Sequence, residues 1–190
     1  MVLNFLKPTY LVESVYDLSV DELKKHNIKA VLTDLDNTLL AWNNPKGTPE
    51  LHEWLKETKE AGIEVIVVSN NTWQRVEKAV GDLGVGYVAW SLKPLPRGIH
   101  RVLKEHHLNK DEVLMVGDQM LTDVWAAHLA GVKSVLVKRL IESDMWQTWV
   151  NRFIENQAKK IIYKNQEPVW HDSLAKAVSK KEEQELHDGK

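Results

Sequence analysis

The sequence predicts an α/β fold: a mainly parallel, five-stranded sheet held between helices in a three-layer αβα arrangement. Three observations carry this. Short runs such as Val65-Ile66-Val67-Val68 and Val113-Leu114-Met115-Val116 are apolar at every position, the pattern of strands covered on both faces. Stretches with apolar residues at helical spacing separate these runs. The connections between them are short, so right-handed crossovers place successive strands in parallel with helices on both sides.

Each element has its own local signal. Ser19-Val20-Asp21-Glu22 has the Ser-x-x-Glu form of a capping box and predicts a helix from there to about Lys25. It leads into the first strand, Ala30-Val31-Leu32, which runs out into a loop rich in Gly, Pro and Asn. Thr48-Pro49 supplies an N-cap and a proline at the first helical position, and Leu51, Trp54 and Leu55 then recur at helical spacing up to Ala61-Gly62. The second strand spans Glu64 to Ser69, and a second long helix runs from Thr72 to Val80, closed by Gly81 and Gly84. Tyr87-Val88-Ala89 is the third strand, followed by a loop over Ser91 to Pro96 and a helix to about His106. Val113 to Val116 is the fourth strand, Thr122 to Ala130 a helix closed by Gly131, and Ser134 to Val137 the fifth strand. One domain is expected over 1–170, with its polar strand ends in a core over 28–137. The charged stretch over 171–190, with few apolar anchors, reads as a tail.

Composition narrows the function. A net charge of −2 with interspersed signs gives no general attraction to polyanions, so no nucleic-acid partner is expected. Cysteine is absent, which excludes disulfides, thiolate catalysis and cysteine-held metal. Met1 to Val15 lacks a sustained apolar core, and no window approaches membrane-spanning length, so a cytoplasmic protein is expected.

The chemistry-bearing residues stand where strands end. Asp34 and Asp36 follow the first strand, Ser69 the second, Lys93 the third, and Asp118 with Asp123 the fourth. In a parallel sheet these ends lie along one edge, where open α/β folds place their sites. Two carboxylates as close as Asp34 and Asp36 repel unless a cation joins them or one keeps a proton. Solvated aspartates in a turn are the plain alternative for this pair alone.

In order and in strand context, these residues resemble the four motifs of the haloacid dehalogenase superfamily. The motif Asp-x-Asp-x-Thr is Asp34, Asp36 and Thr38; the Ser or Thr is Ser69; the Lys is Lys93; and Gly-Asp-x4-Asp is Gly117, Asp118 and Asp123. The resemblance implies a phosphatase in which Asp34 is the nucleophile, Asp36 the general acid and base, and Lys93 a charge-neutralising catalytic group. It also implies Mg²⁺ as cofactor, with Asp34, Asp36 (through its carbonyl), Asp118 and Asp123 as the metal set. Thr38, Ser69 and Asn70 are the substrate-binding residues it implies. Asp123 also reads as a partner of a helix N-terminus.

The intervals from Asp34 to Ser69 and from Ser69 to Lys93 each hold one helix and one strand, leaving no room for the cap domain that many superfamily members insert there. Among capless members, of subclass IIIA, the sequence is similar to the YqeG-type phosphatases, related in turn to phosphatidylglycerophosphate phosphatases. Leu35 departs from the Lys usual in the mitochondrial members. An open site implies a large or membrane-presented phosphorylated substrate, or cover from a second copy of the chain in a homo-oligomer. A soluble sugar or nucleotide phosphate is the alternative substrate, and a non-catalytic phosphate-binding protein the alternative function.

Asp144 to Lys164 bears on the same question. Trp146, Trp149, Val150, Phe153, Ile154, Ile161 and Ile162 recur near helical spacing, beside Arg152, Lys159, Lys160 and Lys164. Such a helix suits peripheral contact with an anionic membrane, at its inner face, or packing within the protein. Trp42 and Trp73, beside the first and second motifs, are placed to line the mouth of the site or to pack in the fold.

Overall fold

The computed structural model describes residues 4–141, 157–163 and 168–178. Its sheet has six strands in the order β1-β6-β5-β2-β3-β4, and every neighbouring pair is parallel. The strands are β1 (Tyr10–Val12), β2 (Ala30–Thr33), β3 (Glu64–Val68), β4 (Gly86–Val88), β5 (Val113–Gly117) and β6 (Lys133–Val137). Between them lie α1 (Val20–Lys25), α2 (Pro49–Glu60), α3 (Trp73–Val80), α4 (Arg97–Glu105) and α5 (Trp125–Ala130). The five expected strands are present and β1 is a sixth. Three residues show no period, and β1 exists because it pairs with β6, in the register Tyr10 to Val135 and Val12 to Val137.

Alternation along the strands builds two cores. Val31, Val65, Val67, Leu114 and Val116 face one side with Leu51, Trp54 and Leu55 of α2 and Val76 and Val80 of α3. Leu32, Ile66, Val68 and Met115 face the other with Ile99 and Val102 of α4 and the three alanines of α5. Burial on both faces is what the continuous apolar runs required.

Two helix starts depart from their local signals. Ser19 caps α1 by accepting from the Glu22 N–H, but the Glu22 carboxylate does not return to the cap as a capping box demands. It accepts instead from the N–H groups of Leu174 and Ala175, at 3.2 and 3.3 Å, and so caps a helical turn over 174–178. The expected helix from Thr122 begins as a wider π-helical stretch, Met120–Val124, before α5. Thr48 caps α2 as anticipated, and Thr72, the expected first residue of the next helix, is instead its N-cap, each accepting from the N–H three residues on.

The aromatic segment is described only over 157–163, helical over 157–162, where Ala158 and Ile162 pack against Leu6, Met120 and Leu136. Trp146, Trp149, Val150, Arg152, Phe153, Ile154 and Lys164, with 179–190 of the tail, lie outside the described residues. Among the described residues, no helix is long and apolar enough to cross a membrane.

Chain order decides where a site can form. From central β2 the chain moves to β3 and β4 on one side, then returns to β5 and β6 on the other. The strand order therefore reverses beside β2, and a crevice opens at the carboxyl end of that strand.

Trp54 ties the N-terminal segment to this frame. It is buried, stacks edge-on to Tyr16, and donates its indole N–H to the Leu18 carbonyl at 2.9 Å. Trp54→Ala is expected to cost about 3–5 kcal/mol in urea unfolding, and Trp54→Phe less, with the carbonyl losing one bond.

Candidate active site

Thr33 of β2 lies level with Val67 of β3 and Val116 of β5, so Asp34 emerges beside Gly117 at the reversal point. Its N–H donates to the Val116 carbonyl, 2.9 Å, which holds the residue in line with the sheet although the strand has ended. Around it the structure gathers residues from every expected motif.

Lys93 is the centre of the cluster. Its ammonium is buried and donates to Asp34 Oδ1 at 2.6 Å and to Asp123 Oδ1 at 2.7 Å. Asp123 Oδ2 in turn accepts from the Gln119 N–H at 3.1 Å, across the π-helical stretch. The side chain of Asp123 folds back over Gly117 so closely that a Cβ there would lie 2.2 Å from its carboxyl carbon. The glycine of the fourth motif is thus a space requirement for this aspartate.

Asp118 occupies the next position. Its Oδ1 accepts from the Thr38 hydroxyl at 3.3 Å and its Oδ2 from Arg139 Nε at 2.8 Å. Asp36 turns away from this group. Its carboxylate accepts from Asn71 Nδ2 at 2.6 Å and from Arg75 Nη2 at 2.8 Å, so any metal contact by Asp36 goes through its carbonyl. Ser69 Oγ is buried and accepts from the Asn71 N–H at 3.2 Å.

Two of the expected substrate-binding residues have their side chains engaged elsewhere. Thr38 is buried against Asp118 and orients that carboxylate. Asn70 is spent on the loop carrying Lys93: its Oδ1 accepts from the Lys93 N–H (2.7 Å) and the Ser91 hydroxyl (2.8 Å), and its Nδ2 donates to the Lys93 carbonyl (2.9 Å). The loop needs such a clamp, because Trp90 and Leu92 both adopt the left-handed conformation, with φ of 50° and 58°. A strained backbone of this kind persists only where its surroundings hold it.

Arg75, Asn71 and Arg139 are additions that the motif pattern did not point to. Arg75 had a signal: a cation in the first turn of a helix opposes the helix dipole, so an anion must lie nearby. Arg139 follows β6 just past its carboxyl end, the same edge as the other groups.

Charge and burial together set the proton affinities. Burial pushes the Asp34 carboxyl up to about 6, opposed by Lys93 and assisted by Asp123 and Asp36. Asp118 is raised by burial and by Asp34 against the pull of Arg139, and Asp123 by burial against Lys93. Burial works against the Lys93 ammonium, yet Asp123 and Asp34 outweigh it and hold the amine above its ordinary range.

Asp34, Asp118 and Asp123 each place a carboxylate oxygen within 4.8 Å of the others. An all-oxygen set of this kind fits a hard divalent cation. Three buried carboxylates against the two cations Lys93 and Arg139 leave an uncompensated negative charge, which a divalent ion relieves. Both oxygens of Asp123 and of Asp118 already have partners, whereas Asp34 Oδ2 has none among the described residues, so Asp34 offers the readiest ligand atom and Asp123 positions Lys93.

A sequence profile described as haloacid dehalogenase-like hydrolase matches residues 3–137. The chain is 34% identical to "Probable phosphatase YqeG" of Bacillus subtilis over 172 residues, which are 90% of this chain and all of that one. Among solved structures, NagD from E. coli superposes with a TM-score of 0.51 at 15% identity, over 61% of this chain and 90% of that one. This last likeness speaks for the fold.

Gly117→Ala is expected to displace Asp123 and loosen Lys93, lowering turnover by tenfold or more while leaving the far-ultraviolet dichroism intact; paired kinetics and dichroism check both. A second expectation concerns pH. The folded protein binds the Asp34 proton more tightly than the unfolded chain does, with a pKa of about 6 against 3.8. Its contribution therefore raises stability as pH falls from about 6 towards 4. Urea unfolding of metal-free protein across that range should show this component, and Asp34→Asn should lack it.

Proposed function

The chain belongs to the haloacid dehalogenase-like hydrolase family, and on that premise we propose that this phosphatase hydrolyses phosphomonoesters by covalent catalysis at Asp34. The observation that carries the reading is the buried Lys93 ammonium lying on Asp34 Oδ1, while Asp34 Oδ2 keeps no hydrogen-bond partner among the described residues. One oxygen is fixed and the other is left to react.

Asp34 Oδ2 attacks phosphorus, the ester oxygen leaves, and Asp36 gives that oxygen its proton. Asp36 then takes a proton from water, whose oxygen attacks the phosphorus of the aspartyl-phosphate, releasing inorganic phosphate and restoring Asp34. Such acid–base help is worth about 10²- to 10⁴-fold. The division of labour matches the surroundings. Asp34 is nearly dry, whereas the Asp36 side chain is 34% exposed and can exchange protons with solvent. Asn71 and Arg75 hold the Asp36 carboxylate in place. Lys93 and the Ser69 loop neutralise and orient the phosphate oxygens. Mg²⁺ held by Asp34, Asp118 and the Asp36 carbonyl would supply Lewis-acid neutralisation of the phosphate and hold it in line.

The substrate is a phosphomonoester on a large or membrane-borne molecule, phosphatidylglycerophosphate being the first choice. Support comes from the segments beside the site. Only a loop and α2 lie between Asp34 and β3, and only α3, a short 3₁₀ turn and β4 lie between Ser69 and the Lys93 loop. Nothing in those intervals can close over a small metabolite, so water must be excluded by the substrate or by what carries it.

Asp34→Asn should keep the fold and retain under about 1% of turnover, because the amide preserves shape but cannot attack. Asp36→Asn should slow hydrolysis of alkyl phosphates far more than of nitrophenyl phosphate, whose leaving group needs no proton. Chelator should abolish both wild-type activities and Mg²⁺ restore them. Undiminished activity in chelator would remove the cation, and brisk turnover confined to soluble sugar or nucleotide phosphates would remove the lipid.

A further inference from the structure

The carboxyl edge of the sheet carries a feature that the phosphate chemistry does not use. Among the described residues eight large apolar side chains stand exposed. Five of them, Trp42, Trp73, Trp90, Leu92 and Leu95, lie on or beside the loops around Asp34, each 47–61% exposed. These loops leave three adjacent strands, β2, β3 and β4. The second and third are joined by backbone bonds, from the Trp90 N–H to the Asn71 carbonyl and from the Ser91 N–H to the Ser69 carbonyl, both 3.0 Å.

Among the described residues, Trp73 meets the ring of Tyr87, at 6.5 Å between centroids, and no ring contact is seen for Trp42 or Trp90. Trp90 and Leu92 have positive φ, where Gly or Asn would sit with less strain and would also suit water better. A bulky apolar residue held out to solvent on a strained backbone is unfavourable twice over unless a partner covers it.

The charges of the same loops say what kind of partner. Residues 37–49, 69–76 and 89–104 contain no Asp or Glu, in a chain where acidic residues outnumber basic ones by 27 to 25. They carry the exposed Lys46 and Arg97, besides Arg75, which is paired with Asp36. Indole rings settle at the headgroup level of a bilayer, and Lys and Arg are drawn to anionic lipid. A protein partner also favours Trp and Arg, but one seated on these loops would cover Asp34. A bilayer presents a phosphate through the very surface it occupies.

We propose that the loops bearing Trp42, Trp73, Trp90, Leu92 and Leu95 are the surface by which this protein sits on an anionic bilayer, mouth down, so that a phosphate monoester on a lipid headgroup reaches Asp34 within the membrane plane. The substrate in this statement rests on the reading of the preceding subsection; the docking does not.

The test uses the full chain and two kinds of vesicle, phosphatidylcholine alone and phosphatidylcholine with phosphatidylglycerol. Wild-type protein should co-sediment with the second, weakly with the first, and less as salt rises. Trp42→Ser with Leu95→Ser, two positions outside the polar cluster, should weaken binding by about tenfold or more, and Lys46→Gln with Arg97→Gln should remove the preference for anionic lipid. Both double variants should hydrolyse nitrophenyl phosphate as wild type does, which shows that they fold. Indifference of wild type to vesicles, undiminished binding by the variants, or a dimer in sedimentation velocity that the serine substitutions disperse would overturn the proposal. Vesicle binding as expected without release of phosphate from phosphatidylglycerophosphate would overturn the lipid substrate and leave the docking. Equal lipid turnover by wild type and variants would overturn the docking and leave the substrate.

Discussion

The ammonium of Lys93, buried between Asp34 and Asp123, is the constraint on which the rest of the site depends. Three charges out of water are unfavourable unless each meets an opposite charge at hydrogen-bond distance, and here they do, at 2.6 and 2.7 Å. The ion cluster adds little to stability for its desolvation cost, but it specifies register. It joins the end of β2, the loop after β4 and the stretch after β5, which are far apart in sequence. Removing Lys93 would leave two buried carboxylates uncompensated, so the three segments have one arrangement that satisfies all of them.

Neighbouring features serve this arrangement. Asn70 uses both ends of its amide to hold the Lys93 backbone, and Gly117 leaves the space that the Asp123 carboxylate fills. The π-helical stretch Met120–Val124 widens the turn so that the Gln119 N–H can meet Asp123, in keeping with the tendency of such stretches to mark working sites. Local irregularity is concentrated here: two left-handed residues lie in the Lys93 loop and a third, Asn37, in the turn after Asp36. The regular sheet beneath is what tolerates it.

A consequence is the contrast between the two carboxylates of the first motif. Asp34 lies at the end of a buried strand among other charges, where its proton affinity is raised and its position is rigid. Asp36 lies two residues on, past the sheet, its carboxylate held by Asn71 of the loop after β3 and by Arg75 of α3. Adjacent aspartates thus acquire different environments because a strand ends between the layers and the next residues belong to the rim.

The sequence by itself determined the alternation of strand and helix, the parallel sheet buried on both faces, the cap at Thr48, and the edge to which Asp34, Asp36, Ser69, Lys93, Asp118 and Asp123 belong. These follow from period, β-branching and turn residues, which act within a few positions of the chain. Tertiary structure alone decided what each polar side chain meets. Glu22 leaves its own helix start for Leu174 and Ala175, Thr38 orients Asp118, Asn70 clamps Lys93, and Arg75 and Arg139 join the carboxylates. β1 belongs to the same group, since three residues become a strand only when β6 offers a free edge. A hydrogen bond or ion pair gains its energy from whichever partner the packed fold brings within about 3 Å, and no local pattern records which partner that will be.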